Sequence, residues 1–137
     1  MKNNQGKGVL GETLAKEYLL GRGYDILESR YRTRQGEVDL IAEKDKTLVF
    51  IEVKARTGQR YGRPAEAVTK QKQRHLTSAA LAYLQQTGKE AAVCRFDVVE
   101  VFLPEGRICH IQGAFDAVCR WGLYGILNGN RWKGDAR

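Results

Sequence analysis

Two acids and a lysine stand out in the stretch from Gly36 to Lys54, GEVDLIAEKDKTLVFIEVK: Asp39, Glu52 and Lys54. Carboxylates brought together can share a divalent cation, and a lysine two residues along the same strand face can orient a water or hold a phosphate oxygen. That chemistry requires the acids to be neighbours. Glu37 to Ala42 and Leu48 to Lys54 are apolar or alternating and Glu43 to Thr47 is polar, which predicts a β-hairpin. A two-residue loop at Asp45-Lys46 would set Asp39 opposite Glu52 and Glu37 opposite Lys54, with all four side chains on one face. Opposed like charges, with Cβ atoms roughly 5 Å apart, destabilise a sheet unless positive charge lies between them. A slip of one residue would send the two acids to opposite faces.

Two readings fit this hairpin. In one, the acids form a metal-binding pair; in the other, the face is solvated and Glu37 and Lys54 make a cross-strand ion pair. Leu48 and Phe50 share the Glu52 face, while Val49, Ile51 and Val53 make the opposite face apolar. The strand is therefore expected to be buried on both sides near its start, and charges at the end of such a strand need a partner.

The elements that must position these residues follow from the rest of the chain. Lys7 to Gly21 predicts a first helix whose wheel gathers Leu10, Leu14, Ala15, Tyr18 and Leu19 in one half, with Glu12 at its rim and Gly21 and Gly23 at its end. On spacing alone, Glu12 reads as an exposed first-turn acid. Tyr24 to Thr33 predicts a strand on which Arg30, Arg32 and Arg34 share a face, either to grip phosphates or as an exposed edge-strand face kept charged. Ala55 to Ala65 predicts a loop in which Arg56, Arg60 and Arg63 surround Tyr61, a mixture suited to a nucleic-acid backbone and a stacked base, or a solvated loop with its tyrosine packed beneath.

Thr69 is expected to cap a second helix running to about Gln86, with Leu76, Ala79, Ala80, Tyr83 and Leu84 as its buried stripe and Gly88 beyond its end. Lys70, Lys72 and Arg74 crowd its first turns against the helix dipole, a conflict that a bound phosphate would relieve. Ala92 to Leu103 and Arg107 to Ile111 predict two further strands joined by a turn at Pro104. Phe115, Val118, Cys119 and Gly122 suggest a short helix before a polar end. Trp121, Arg131, Trp132 and Lys133 of that tail could dock on the domain, on a second copy in a homodimer, or on nucleic acid.

Composition bounds the function. A chain of 137 residues is long enough for one domain with a real core. Its net charge of +7 favours a polyanionic partner. Between Arg56 and His75 six basic residues face one acid, Glu66, so the excess is concentrated just after the acidic motif. Cys94, Cys109 and Cys119 form no CxxC pair and are odd in number, as expected of reduced thiols in a cytoplasm. The N-terminus has no apolar signal region and no run approaches the roughly 18 apolar residues that cross a bilayer. Asp97 and His110 show no metal-ligand spacing and are read as structural.

Asp39 followed by Glu52-Val53-Lys54 resembles the D…ExK signature of the PD-(D/E)XK nuclease superfamily, whose fold sets a short mixed sheet between helices. The longer context, GETLAKEYLLGRGYDILESRYRTRQGEVDLIAE with LVFIEVKAR, YGRPAEAV and RFDVVEV, closely resembles the YraN family of endonuclease-like bacterial proteins, similar to Holliday-junction resolvases, over about Gly8 to Gln112. The resemblance implies an α/β domain with a restriction-endonuclease-like core of order αβββαββ over residues 1–115, followed by a tail at 116–137. It implies Glu12 as a helical acid, Asp39 and Glu52 as metal carboxylates joined by the Val53 carbonyl, Lys54 as the catalytic lysine, and Mg²⁺ or Mn²⁺ as cofactor. The expected activity is metal-dependent hydrolysis of phosphodiesters in nucleic acid, DNA and branched DNA included. Arg56, Arg60, Tyr61, Arg63, Lys70, Lys72 and Arg74 would meet the substrate. The alternative is a non-catalytic nucleic-acid-binding module that keeps the nuclease fold.

Overall fold

In the computed structural model, which describes residues 2–57, 68–89, 92–117, 126–127 and 130–133, one mixed sheet is packed between two helices. Helix α1 (Lys2–Gly21) is followed by strands β1 (Asp25–Arg32), β2 (Glu37–Lys44) and β3 (Thr47–Thr57). Helix α2 (Lys70–Thr87) precedes β4 (Val93–Leu103) and β5 (Arg107–Phe115), and two short strands, β6 (Ile126–Leu127) and β7 (Asn130–Lys133), come last. The expected order αβββαββ is present, with β6 and β7 added to it. Phe115 closes β5 rather than opening a helix, because its backbone pairs with Phe96 and its ring stacks on that of Phe96 at 4.6 Å. Residues 118–125, with Cys119 and Trp121, lie outside the described residues.

Strands β1, β2 and β3 form an antiparallel meander, and β4 lies parallel to β3 from Thr47↔Val93 to Thr57↔Leu103. A parallel neighbour requires a crossover, which α2 supplies. Along the far side of β4, Phe96 to Phe102 pair with β5 and Val93 to Arg95 pair in parallel with β7.

The hairpin turn has the expected two residues, with Lys44 paired to Thr47 and positive φ at both Asp45 (51°) and Lys46 (63°). Positive φ at both central residues is the turn whose twist suits a two-residue hairpin, here made without glycine.

The two sheet faces carry separate cores. Leu48, Phe50, Phe96 and Val98 pack with Leu76, Ala80, Tyr83 and Leu84 of α2, whereas Val49, Ile51, Val99 and Val101 pack with Ala15 and Leu19 of α1. Every residue of the α2 stripe expected from its spacing is buried. Thr69 caps that helix by accepting from the Lys72 N–H, and Gly88 closes it in the left-handed region. Close approach fixes both helices against the sheet. A Cβ on Gly11 would lie 2.8 Å from the Ala55 Cβ, and one on Gly36 only 2.5 Å from the His75 carbonyl oxygen.

A buried polar network ties α1 to the sheet. Asp97, fully buried on β4, accepts from Arg95 Nε (2.8 Å), His110 Nε2 (2.7 Å) and the Gly113 N–H (3.0 Å). The other ring nitrogen of His110, Nδ1, is hydrogen-bonded with the Tyr18 hydroxyl (3.0 Å), while Arg95 donates to the Tyr24 hydroxyl (2.9 Å). Burial by itself would raise the Asp97 carboxyl, but the bonds from His110 and Arg95, the Arg95 charge and the Gly113 N–H outweigh it and hold the carboxyl below its ordinary value. Asp97 and His110 are structural here, as their spacing suggested.

Because the folded Asp97 titrates below its unfolded value of about 3.9, its stabilisation is complete above that pH and is lost as pH falls through the folded value. Asp97→Asn should cost on the order of 3–5 kcal/mol at neutral pH by leaving Arg95 buried without its counter-charge, and it should flatten the loss of stability in acid. Urea denaturation across pH checks both; equal acid sensitivity in the two proteins would be the contrary result.

Candidate functional site

The pairing of β2 with β3 runs from Lys44↔Thr47 to Leu40↔Ile51, and its continuation would bring Asp39 opposite Glu52. The ladder ends there. Val38 packs in the same core as Ile41, while Leu40 and Ala42 face the other, so the strict alternation of β2 breaks between Val38 and Leu40. Asp39 occupies the break. Its Oδ2 accepts the Val53 backbone N–H at 2.8 Å, a side chain standing where a strand carbonyl would otherwise complete the ladder. On β1, between the Ser29↔Leu40 and Tyr31↔Val38 pairs, Arg30 has a φ of 54°, which breaks the alternation of that strand at the same level.

Asp39 therefore sits at a fork in the sheet and senses both sides. On the α1 side a cleft of about 190 Å³ is lined by Gly8, Glu12, Arg30, Glu37, Asp39, Val53 and Ala55. On the α2 side Glu52, 5% exposed, follows Leu48 and Phe50 along the same face of β3 and receives the ammonium groups of Lys54 (3.6 Å) and Lys72 (3.5 Å) at one oxygen, Oε2. Burial, the charge of Glu52 and that of Glu37 push the Asp39 carboxyl up to about 7, against the Val53 N–H and Lys72, which pull it down. The Asp39 carboxyl is therefore poorly supplied with positive charge, because both nearby ammonium groups are directed to Glu52.

The donor types fit a hard divalent cation: the carboxylates of Asp39 and Glu52, with the carbonyl of Val53 next to Glu52 in sequence, are oxygen ligands of the kind Mg²⁺ takes while keeping water. Among the described residues no group of three or more Asp, Glu, His or Cys side chains converges. Glu12 lines the cleft but is engaged by Arg30 Nε (3.0 Å) and Lys16 Nζ (3.5 Å).

Several sequence expectations change. Glu37 does not pair with Lys54, because β2 and β3 have separated before that level; it meets Arg32 at 3.5 Å, and Lys54 turns to Glu52. Arg30 and Arg32 are spent on Glu12 and Glu37 rather than presented together with Arg34. Strand β3 continues through Thr57, so Arg56 is on a strand instead of in a loop, and it pairs with Glu100. Lys72 leans on Glu52, whereas Lys70 and Arg74 are exposed on α2. Arg60, Tyr61 and Arg63 lie outside the described residues. Glu100 went unnoticed, although an acid inside the apolar run VVEVFL signals a buried charge that needs a partner.

Residues 11–101 match the family described as "Uncharacterised protein family UPF0102". A UPF0102 protein of Symbiobacterium thermophilum is 52% identical over 113 residues, covering 80% of this chain and 96% of that protein. Another from Syntrophomonas wolfei is 46% identical over 114 residues, covering 82% of this chain and 99% of the relative. A third, from Clostridioides difficile, is 42% identical over 113 residues with the same shares. The chain belongs to the UPF0102 family. Among the described residues, no helix is long and apolar enough to cross a membrane.

The raised carboxyl of Asp39 gives a directional test. Its folded value near 7 lies above the unfolded one, so a penalty for ionising it grows as pH rises from the ordinary carboxylate range to about 7 and is complete above that. Asp39→Asn should accordingly stabilise the metal-free protein at about pH 8, by on the order of 3 kcal/mol, and the difference should shrink toward about pH 4. Thermal melts of both proteins in EDTA across this range check it; a difference that does not vary with pH would show an unperturbed carboxyl.

Proposed function

We propose that this UPF0102 chain is a metal-dependent phosphodiesterase acting on nucleic acid, with DNA as the expected substrate and a restriction-endonuclease-like core as its scaffold. One observation carries the reading: Asp39 is held by the Val53 N–H at a fork in the sheet, coupled to the charge of Glu52 on the neighbouring strand. Lys54, in contact with Glu52, is the third residue of the D…ExK pattern that the sequence resembles, which supports the same reading. Asp39, Glu52 and the Val53 carbonyl would hold Mg²⁺ or Mn²⁺, and the bound cation would supply positive charge to the phosphate under attack.

The chain's own residues supply the remainder. Lys54 stands beside Glu52 with an ammonium able to hold a phosphate oxygen or orient the attacking water. Glu12 and Arg30 line the cleft together with Asp39; there Glu12 would complete the acidic site and the Arg30 guanidinium balances it. The cleft admits substrate from the α1 side, and exposed Lys70 and Arg74 add charge on α2 that a polyanion would neutralise.

A binding module without turnover is the second reading, favoured by the two lysines already filling Glu52 Oε2 and by the engagement of Glu12. Cleavage and binding separate the two. On a panel of branched, flapped, single-stranded and duplex DNA, with RNA counterparts, Asp39→Asn, Glu52→Gln and Lys54→Met should each lower metal-dependent cleavage by at least about 10²-fold. Affinity measured in EDTA should persist or rise when a carboxylate is removed, since negative charge beside phosphates is repulsive. Wild type that binds the panel but cleaves nothing with Mg²⁺ or Mn²⁺ would establish the binding module instead, and a Glu52→Ala protein that cleaves at the wild-type rate would show that the cleavage does not come from this site.

A further inference from the structure

Glu100 is the least exposed acid on the α2 side of the sheet, at 1%. One of its oxygens, Oε2, accepts from Arg56 Nε. The other, Oε1, is the single buried side-chain N or O atom among the described residues without a hydrogen-bond partner. An ionised group left half-satisfied out of water is costly, about 1–3 kcal/mol or more, and native folds rarely keep one without a use.

The register shows what lies beside it. Lys54 pairs in parallel with Glu100, and Phe50 and Phe96, which lead to these residues along β3 and β4, share the core on the α2 side. Strands that pair lie about 4.8 Å apart, well within the reach of a lysine side chain. Lys54 now gives its ammonium to Glu52 Oε2 at 3.6 Å, an oxygen that Lys72 also approaches at 3.5 Å. Both contacts are long for charge-assisted bonds.

A divalent cation on Asp39 and Glu52 would compete with both ammonium groups for the same buried carboxylate. We propose that Glu100 is a positioning residue for Lys54: its free oxygen receives the Lys54 ammonium when a divalent cation occupies Glu52. The inference rests on the metal-binding reading above. Arg56, bonded to the other oxygen, acts as a strut that holds the Glu100 carboxylate in place. Lys54 would then stand clear of the cation on a fixed acceptor, with its remaining N–H groups free to meet a phosphate oxygen. This assigns Arg56 to the support of the site rather than to the substrate.

Mn²⁺ affinity, read by the electron paramagnetic resonance signal of the free ion without any nucleic acid, tests this. Glu100→Gln should weaken Mn²⁺ binding roughly tenfold, because the displaced ammonium has lost its acid acceptor and returns to Glu52. In the Lys54→Met background, where the one ammonium assigned to Glu100 is gone and Lys72 competes for Glu52 as before, the same substitution should change nothing. Glu100→Asp, which keeps the charge but withdraws it by one methylene, should show the same dependence on Lys54 and serves if the glutamine variant does not fold. An equal loss in both backgrounds, or no loss in either, overturns the proposal while leaving the metal site intact. If wild type takes up no Mn²⁺, or if Asp39→Asn leaves uptake unchanged, the metal-binding reading falls and this inference with it.

Discussion

The bond from the Val53 N–H to Asp39 is the point on which the rest of the site depends. A β-ladder satisfies its backbone groups strand to strand, and where two strands part, something else must take the donor left behind. Here a carboxylate does so, half-buried between the apolar cores of the two sheet faces. The same placement that completes the backbone accounting forces a charge into a poor medium beside a second acid. Stability and chemistry pull against each other in one residue, as is usual where backbone irregularity coincides with function.

Compensation comes from the α2 side. Glu52 and Glu100 stand on one sheet face with Lys54 and Arg56, and α2 directs Lys72 onto Glu52 from its first turn. That turn has no acid of its own and opens on a threonine cap, so the helix delivers a cation to the sheet while its backbone N–H groups are served by Thr69. The α1 side holds the cleft, and Gly11 allows that helix to settle against Ala55 at the cleft wall. The two helices thus do different work: one brings positive charge, the other leaves room.

Much of this was legible in the sequence for a physical reason. Hairpin register follows from loop length, and the two-residue loop at Asp45-Lys46 was readable because apolar runs end cleanly on either side of it. The α2 stripe and its Thr69 cap were readable because spacing and capping are local. What escaped was set by geometry that no local pattern encodes. The alternation of β2 breaks between Val38 and Leu40, and Arg30 adopts positive φ without being glycine, so the arginine row and the Glu37 to Lys54 pair dissolved together. The pairing of Arg56 with Glu100 depends on a parallel register between strands separated by a helix. Periodicity along one strand carries no information about such a neighbour.

The far side of β4 is shared between two partners, and the division has a consequence for the chain's life in solution. β5 runs out at Phe115 opposite Phe96, so the first three residues of β4 receive their hydrogen bonds from Asn130–Lys133. Those residues lie well beyond the stretch shared with the family as a whole, which ends at Val101. Without them, the backbone of Val93 and Cys94 would face outward as an open template, able to recruit a strand from another molecule and begin a growing intermolecular sheet. The last described strand therefore serves as a stopper: a few residues whose backbone keeps a central strand from behaving as the end of a filament.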